Sequence, residues 1–248
     1  MRYEIGAELY DAIGELHGRD TQAEANRVRA AWETAVRVHR PRVLDVACGT
    51  GQHLRHFRAH ADVVGVDHSG PMLVVAARRL PGVPLHEQPM QALDLPGDFD
   101  VITCLLSSIG YPVGAVDLHR ALRRMHAHLR PSGALVVEPG PSRAAAERME
   151  FPPLIFDMRG MLVERRTRRT LLRERMVLHH EFRISHGAHQ SVLHDLHKMS
   201  LRDLHAHRVA MERAGFRVQL LQPADGGGPL LVGRPLPAGA EGDEPDLD

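Results

Sequence analysis

The chain has 248 residues, 43% of them apolar, and a formal net charge of zero. That length fits one globular domain with a sizeable core, the neutral balance offers no electrostatic case for nucleic acid or an anionic membrane, and no apolar run approaches the roughly 20 residues of a membrane span. Cys48 and Cys104 are too few for a disulfide framework, and the opening MRYEIGAELYD carries acids where a signal peptide would be apolar, so a cytoplasmic protein is expected.

Residues 1–39 read as one or two amphipathic helices around AEANRVRAAWETAVRV, with Trp32 as a core residue. RPRVLDVA (40–47), ADVVGVD (61–67), FDVITCLLS (99–107) and GALVVEP (133–139) are short apolar runs ending in polar or glycine positions, the pattern of buried strands. Between them GQHLRHFRAH, GPMLVVAARRLP and AVDLHRALRRMHAHLRP carry helical spacing. The last sets Val116, Leu118, Leu122, Met125 and Leu129 on one face and is predicted to stop at Pro131. Strands alternating with helices of this length predict βαβ units and a parallel sheet covered on both faces. Beyond residue 140 the period is lost, and roughly 150–200 is expected to be an insertion of antiparallel strands and loops. SLRDLHAHRVAMERAGF then predicts a helix ended by Gly215, FRVQLLQ and PLLVGRPL a closing hairpin through ADGGG, and residues 237–248 a disordered acidic tail.

The chemistry is concentrated in LDVACGTGQHLRHF (44–57). A phosphate-binding P-loop needs a lysine and a Ser or Thr after its second glycine, and none follows. A dinucleotide fingerprint needs a third glycine where this chain has Leu54. What remains is D-x-x-x-G-x-G, from Asp45 through Gly49 to Gly51, with Asp67 closing the next strand eighteen positions after Gly49. This fits an adenosyl ligand without a pyrophosphate. The glycines admit a close approach, Asp67 can accept from both ribose hydroxyls, and Asp45 either orders the turn or helps hold an amino group through water.

LDVACGTG, GVDHSGPML, GDFDVITCLLSSIGY and LRPSGALVVEP, in that order, resemble the class I S-adenosylmethionine-dependent methyltransferases. AELYD, DVACGTG followed by HLRHF, SSIGY and LVVEP bring the likeness closer, to the dTDP-amino-sugar N,N-dimethyltransferases of macrolide biosynthesis. The resemblance implies an α/β, Rossmann-like fold: a mostly parallel seven-stranded sheet, an N-terminal helical lid (1–39) and an acceptor-side antiparallel insertion (140–200). Within it, 40–139 would bind S-adenosylmethionine and 201–236 would complete the sheet. Ala47 and Gly49 would line the methionine part of that cofactor, Asp67 would hold the ribose, Met90 would face the adenine, and Leu105 and Tyr10 would close the pocket. Tyr3 and Tyr111 match the two positions beside the acceptor amine, and Arg175 matches a family contact to the acceptor.

Three positions depart from the family pattern. Pro89 precedes Met90 where a carboxylate often reads the adenine, Gly140 replaces a tryptophan after LVVEP, and ADGGGPLLVG lacks an arginine expected for the nucleotide diphosphate. The run ERRTRRTLLRER, with Arg165, Arg166, Arg168, Arg169, Arg173 and Arg175, could bind phosphates or form a solvated strand face. The histidines of LHHEF, HGAH and LHDLH lack metal-ligand spacing and read as surface residues of a solvated arm, so no metal is expected. The expectation is therefore an antibiotic-pathway enzyme methylating a small-molecule amine, without nucleic-acid or membrane partners and with a homodimer as a candidate assembly. Methylation of a non-sugar metabolite or of a peptide amine or hydroxyl, and a non-catalytic binding domain of the same fold, are the alternatives.

Overall fold

The computed structural model describes residues 2–222 and 227–237, with side chains from Gly6 onward. Two helices lead, α1 (Arg2–Leu16) and α2 (Thr21–Glu33). Asp20 starts the second by accepting the Gln22 and Ala23 N–H groups at 3.0 and 2.9 Å, which satisfies two otherwise unpaired donors. The βαβ series follows as β1 (Arg42–Val46), α3 (Gln52–Phe57), β2 (Asp62–Asp67), α4 (Gly70–Arg79), β3 (Leu85–Glu87), β4 (Phe99–Cys104), α5 (Ala115–Ala127) and β5 (Leu129–Val137). Then come α6 (Arg143–Arg148), the strands β6 (Leu154–Met158), β7 (Met161–Leu171), β8 (Arg175–His186) and β9 (His189–Ser200), and finally α7 (Leu204–Arg213), β10 (Phe216–Leu221) and β11 (Leu230–Pro235).

Seven strands form the main sheet in the order β10-β11-β5-β4-β1-β2-β3, and β6 to β9 form a separate antiparallel sheet. Neighbours among β1 to β5 pair parallel, while β11 runs antiparallel to both β5 and β10. One face of the main sheet is packed by α2, α3 and α4 through Trp32, Leu54, Phe57 and Leu73. The other is packed by α5 and α7 through Leu118, Leu122, Met125 and Met211. Trp32 is buried as its composition suggests, with its ring 4.9 Å from Phe57 in an edge-on contact.

Several local expectations need correction. The helix over 115–131 ends at Ala127, and Leu129 begins β5 rather than lying on the helix face. Pro131 sits inside that strand, in the irregularity where pairing shifts from Phe99–Leu129 to Val101–Ala134, so its missing N–H breaks no ladder bond. Val116 is exposed, being two residues from Leu118 and off the buried stripe. The aperiodic stretch after 140 conceals α6, which Ser142 caps by accepting the Ala145 N–H at 3.2 Å. Most of the expected loop at ADGGG and the acidic tail beyond Pro237 lie outside the described residues.

An ionic cluster ties α2 to α3. Arg19 donates to both Glu24 oxygens, at 3.1 and 2.7 Å, and the buried His53 ring meets Glu24 Oε2 at 3.0 Å. Burial pushes the Glu24 carboxyl up, but the bonds from His53 and Arg19 outweigh it and hold the group at about 2, below the usual 4.5. A depressed folded value gives stability that is complete above the unfolded value and lost as pH falls. The stability advantage of the native chain over Glu24→Gln should be full above a pH of about 4.5 and shrink toward 2 in denaturant titrations. A constant difference across that window would contradict this account.

Candidate active site

The chain runs β1 to β2 to β3 on one side, then crosses to β4 on the other side of β1, which opens a crevice at the carboxyl ends of β1 and β4. At that edge the backbone turns left-handed at Ala47 (φ 59°), Gly49 (φ 54°) and Gly51 (φ 75°). A Cβ on Gly51 would lie 2.6 Å from Leu80 Cδ1, so packing as well as backbone excludes a side chain there. A Cβ on Gly49 would meet nothing within 4 Å, leaving an open approach to the loop. The same backbone at Ala47 carries a Cβ and is strained.

Asp67 joins the two βα turns. Its Oδ2 accepts the Gly49 N–H and its Oδ1 the Ser69 N–H, each at 2.8 Å. Each carboxylate oxygen retains a lone pair, so two further donors such as ribose hydroxyls can be taken. Asp45, 2% exposed, accepts the Thr103 hydroxyl at 2.6 Å. Burial raises its carboxyl to about 6, with Asp67 adding to the rise and His53 and Thr103 opposing it. A buried carboxyl without an ion pair among the described residues, beside an open glycine loop, suits a ligand bearing a positive charge. Met90 and Leu105 are both buried at this edge, and Gln88 braces the Met90 turn through two bonds with the Asp94 backbone.

The N-terminal helix lies against the glycine loop. Asp11 accepts from the Thr50 hydroxyl and from Arg79, each at 2.7 Å, while Leu9 on the same helix packs with Val163, Phe182 and Ile184 of the second sheet. Tyr10 stays 39% exposed although Arg19, Asp11 and Glu24 crowd it, and burial is the main cause that raises its phenol pKa. The side chain of Tyr3 lies outside the described residues.

After β4 the backbone is left-handed again at Leu106 (φ 52°) and Ser107 (φ 61°), held by Glu138 Oε2, which accepts the Leu106 N–H at 3.0 Å. The turn Ser108–Gly110 follows and delivers Tyr111. Ser200, at the end of β9, donates to Pro112 O at 3.1 Å and pins the second sheet to this turn. The Tyr111 hydroxyl stands 2.6 Å from His197 Nδ1, and His197 Nε2 stands 2.9 Å from Asp195 Oδ2. Burial first, then Tyr10, Asp195 and Asp67, push the Tyr111 phenol pKa well up.

Register assigns the second sheet's faces. Arg165 pairs with Phe182, Thr167 with His180, His180 with Asp195 and Leu178 with His197, so these side chains share the inner face. That face is apolar at one end under α1 and at the other end under α6 and Tyr111, with the polar row Arg165, Thr167, His180, Asp195 and His197 between. His180 and His197 are therefore not surface residues of a solvated arm: their rings meet edge-on at 5.2 Å, and His180 Nδ1 lies 2.8 Å from the Thr167 hydroxyl. His179 and His194 stack on the opposite, exposed face.

The arginines divide the same way. Arg175, Arg166 and Arg168 are exposed on the outer face and Arg173 is exposed in the β7–β8 turn, so Arg175 is not brought to the crevice. Arg169 points inward but is consumed by the carbonyls of Ala146, Glu147 and Met149 at the end of α6. Arg165 is inward, 5% exposed, and its Nε has no hydrogen-bond partner. Sequence reading missed His197, Asp195 and His180. The alternation in LHDLH pairs 195 with 197 on one face, but which face turns inward is set by the register with β8.

A cavity of about 370 Å³ opens beside the strained loop, lined by Ser107, Glu138, Gly140, Ser142, Met149 and Gly228 among others. It occupies the neighbourhood of Gly140. No group of three His, Cys, Asp or Glu residues able to hold a metal ion occurs among the described residues. No helix among them is long and apolar enough to cross a membrane.

The methyltransferase domain family matches residues 43–133, the stretch that builds the crevice. A dTDP-4-amino-2,3,4,6-tetradeoxy-D-glucose N,N-dimethyltransferase from Saccharopolyspora spinosa is 35% identical, over 92% of this chain and 91% of its own. The solved sugar N-methyltransferase KedS8 from a Streptoalloteichus species superposes with a TM-score of 0.82 at 29% identity, covering 92% of each chain. The SAM-bound amino pentose methyltransferase CalS10 from Micromonospora echinaspora superposes with a TM-score of 0.74 at 28% identity, over 91% of this chain and 96% of that one. The chain belongs to the class I S-adenosylmethionine-dependent methyltransferases and, within them, to the family of amino-sugar N,N-dimethyltransferases.

Proposed function

We propose that this protein methylates the amine of a deoxyamino-sugar carried on a nucleotide diphosphate, in the cytoplasm. The observation that carries the acceptor side is Arg165: burial lowers its pKa, and it has no ion pair among the described residues. A buried guanidinium left without an anion is costly, so an acceptor bearing phosphate would satisfy it. Arg165 thereby takes the place of the arginine missing from the closing hairpin, and Gly140 leaves room where the related tryptophan would stand. The two cysteines are free and buried, which supports a reducing compartment.

S-adenosylmethionine supplies a methyl group on a positively charged sulfur, an already activated leaving group. The chain's work is then to bind, align and exclude water. Ala47 and Gly49 line the methionine part, Asp45 lies under its charged end, and Asp67 receives the ribose hydroxyls. Met90 and Leu105 enclose the adenine and methionine ends, with Pro89 leaving the adenine amino group to backbone acceptors. Tyr10, carried by α1, covers the cleft once the Asp11 contact docks that helix on the glycine loop. Tyr111 faces the acceptor amine, and Tyr3 is assigned to the same side by its place in the family pattern.

Asp67→Ala should weaken binding of S-adenosylhomocysteine by about 1–3 kcal/mol in a calorimetric titration, because the ribose donors lose a charged acceptor. NADH affinity comparable to that for S-adenosylhomocysteine would refute the cofactor assignment. Ligand should also slow hydrogen exchange over residues 6–20, and an unprotected segment would remove α1 from the site.

Arg165→Gln should raise the acceptor KM about tenfold to a hundredfold, the equivalent of about 1.5–3 kcal/mol, and leave cofactor affinity alone. The double variant Arg173→Ala with Arg175→Ala should leave both unchanged. The acceptor itself is tested by S-adenosylhomocysteine release from a panel of dTDP-amino-sugars, free aminoglycosides and small amines. Turnover confined to acceptors without a nucleotide would overturn the carrier assignment.

A further inference from the structure

We infer that His197, oriented by Asp195, is a positioning residue for Tyr111: it accepts the phenol proton, so that the phenol oxygen turns its free lone pairs toward the acceptor amine. The inference rests on the placement of Tyr111 beside that amine. It begins from two contacts, Tyr111 hydroxyl to His197 Nδ1 at 2.6 Å and His197 Nε2 to Asp195 Oδ2 at 2.9 Å. An ionised carboxylate only accepts, and Asp195 is held below the usual carboxylate range first by its bond with His197. The Nε2 atom must therefore carry a proton, and a neutral ring then has Nδ1 as its acceptor. Tyr111 has one proton and gives it to Nδ1. Its oxygen can accept from the substrate but cannot donate to it.

The surrounding groups hold this arrangement. His180 on β8 packs edge-on against His197, and burial first, then the neighbouring His197 and Arg165, lower it to about 4, which keeps it uncharged near neutrality. Arg165 and Thr167 on β7, Asp195 on β9, Tyr10 on α1 and Asp67 at the end of β2 are the other titratable and polar groups that act on the pair among the described residues. Lys198 and His194 belong to the outer face. The elevated Tyr111 pKa keeps the phenol protonated, so it is no resident tyrosinate base.

A proton path follows. An acceptor ammonium gives its N–H proton to the Tyr111 oxygen as the Tyr111 O–H proton passes to His197 Nδ1. The N–H electron pair stays on nitrogen and becomes the nucleophile. His197 becomes an imidazolium beside the Asp195 carboxylate and returns its proton to water. No other reactant is consumed.

Asp195→Asn and His197→Ala, each in the full chain, test the inference. Asp195 is 58% exposed on its side chain, so its change to Asn leaves packing in place if the His197 variant fails to fold. Both variants should lower kcat/KM for the acceptor by on the order of tenfold or more and displace the acid limb of its pH profile, while S-adenosylhomocysteine affinity stays at the native value. Without turnover, nitrogen-15 NMR should show His197 carrying its proton on Nε2 in the native chain and losing that preference in Asp195→Asn. A native His197 protonated on Nδ1 alone, or unaltered rates and pH profiles in both variants beside a slowed Tyr111→Phe, would overturn the relay and leave Tyr111 at the amine. Native turnover in Tyr111→Phe would overturn the placement of Tyr111 and the inference with it.

Discussion

One carboxylate organises the two turns at the carboxyl edge of β1 and β2. Asp67 closes β2 and spends one bond on the loop after β1 and one on the turn into α4. Both βα turns are thus fixed to each other through a single buried group, at the point where the sheet order reverses. The left-handed residues of the loop can hold their conformation because Gly49 is anchored there. The loop in turn receives Asp11 from α1 through Thr50 and Arg79. Remove the carboxylate and each of these contacts loses the part it is fastened to.

The second sheet answers to a different kind of constraint. A long antiparallel sheet has one face to bury, and here the burial is interrupted. Apolar side chains pack under α1 at one end and under α6 at the other, while the middle keeps an arginine, a threonine, two histidines and an aspartate. Polar side chains in such a strip are tolerated only if they pair with each other or with something that enters. Thr167 with His180 and Asp195 with His197 are paired, and Arg165 is left over. The Ser200–Pro112 bond ties this sheet to the turn after β4, at the carboxyl edge of the main sheet.

The sequence made the glycine loop and the strands around it legible because their signals are local. Asp45, Gly49, Gly51 and Asp67 lie at the ends of strands whose apolar runs announce themselves, and spacing alone excludes the competing nucleotide motifs. The inner face of the second sheet was not legible in the same way. Whether a strand's odd or even residues turn inward depends on pairing with a partner ten or more residues away, so Arg175 and Arg165 could not be told apart and the histidines could not be sorted. Helix α6 escaped because six residues give too little period, and the start of β5 escaped because Pro131 reads as a helix stop unless the bulge beside it is known.

Ala47, Leu106 and Ser107 hold left-handed backbone without being glycines, and all three fall on the rim of the cleft. Conformations of this kind cost about 1–3 kcal/mol each. Relieving that cost would make a sturdier protein, but the relieved loops would no longer be held at the angles that set Gly49 and Tyr111 at the carboxyl edge of the sheet. Selection for thermal endurance and selection for turnover therefore pull these positions in opposite directions. Attempts to harden this scaffold by design have their free choices in the helices behind the sheet, away from that rim.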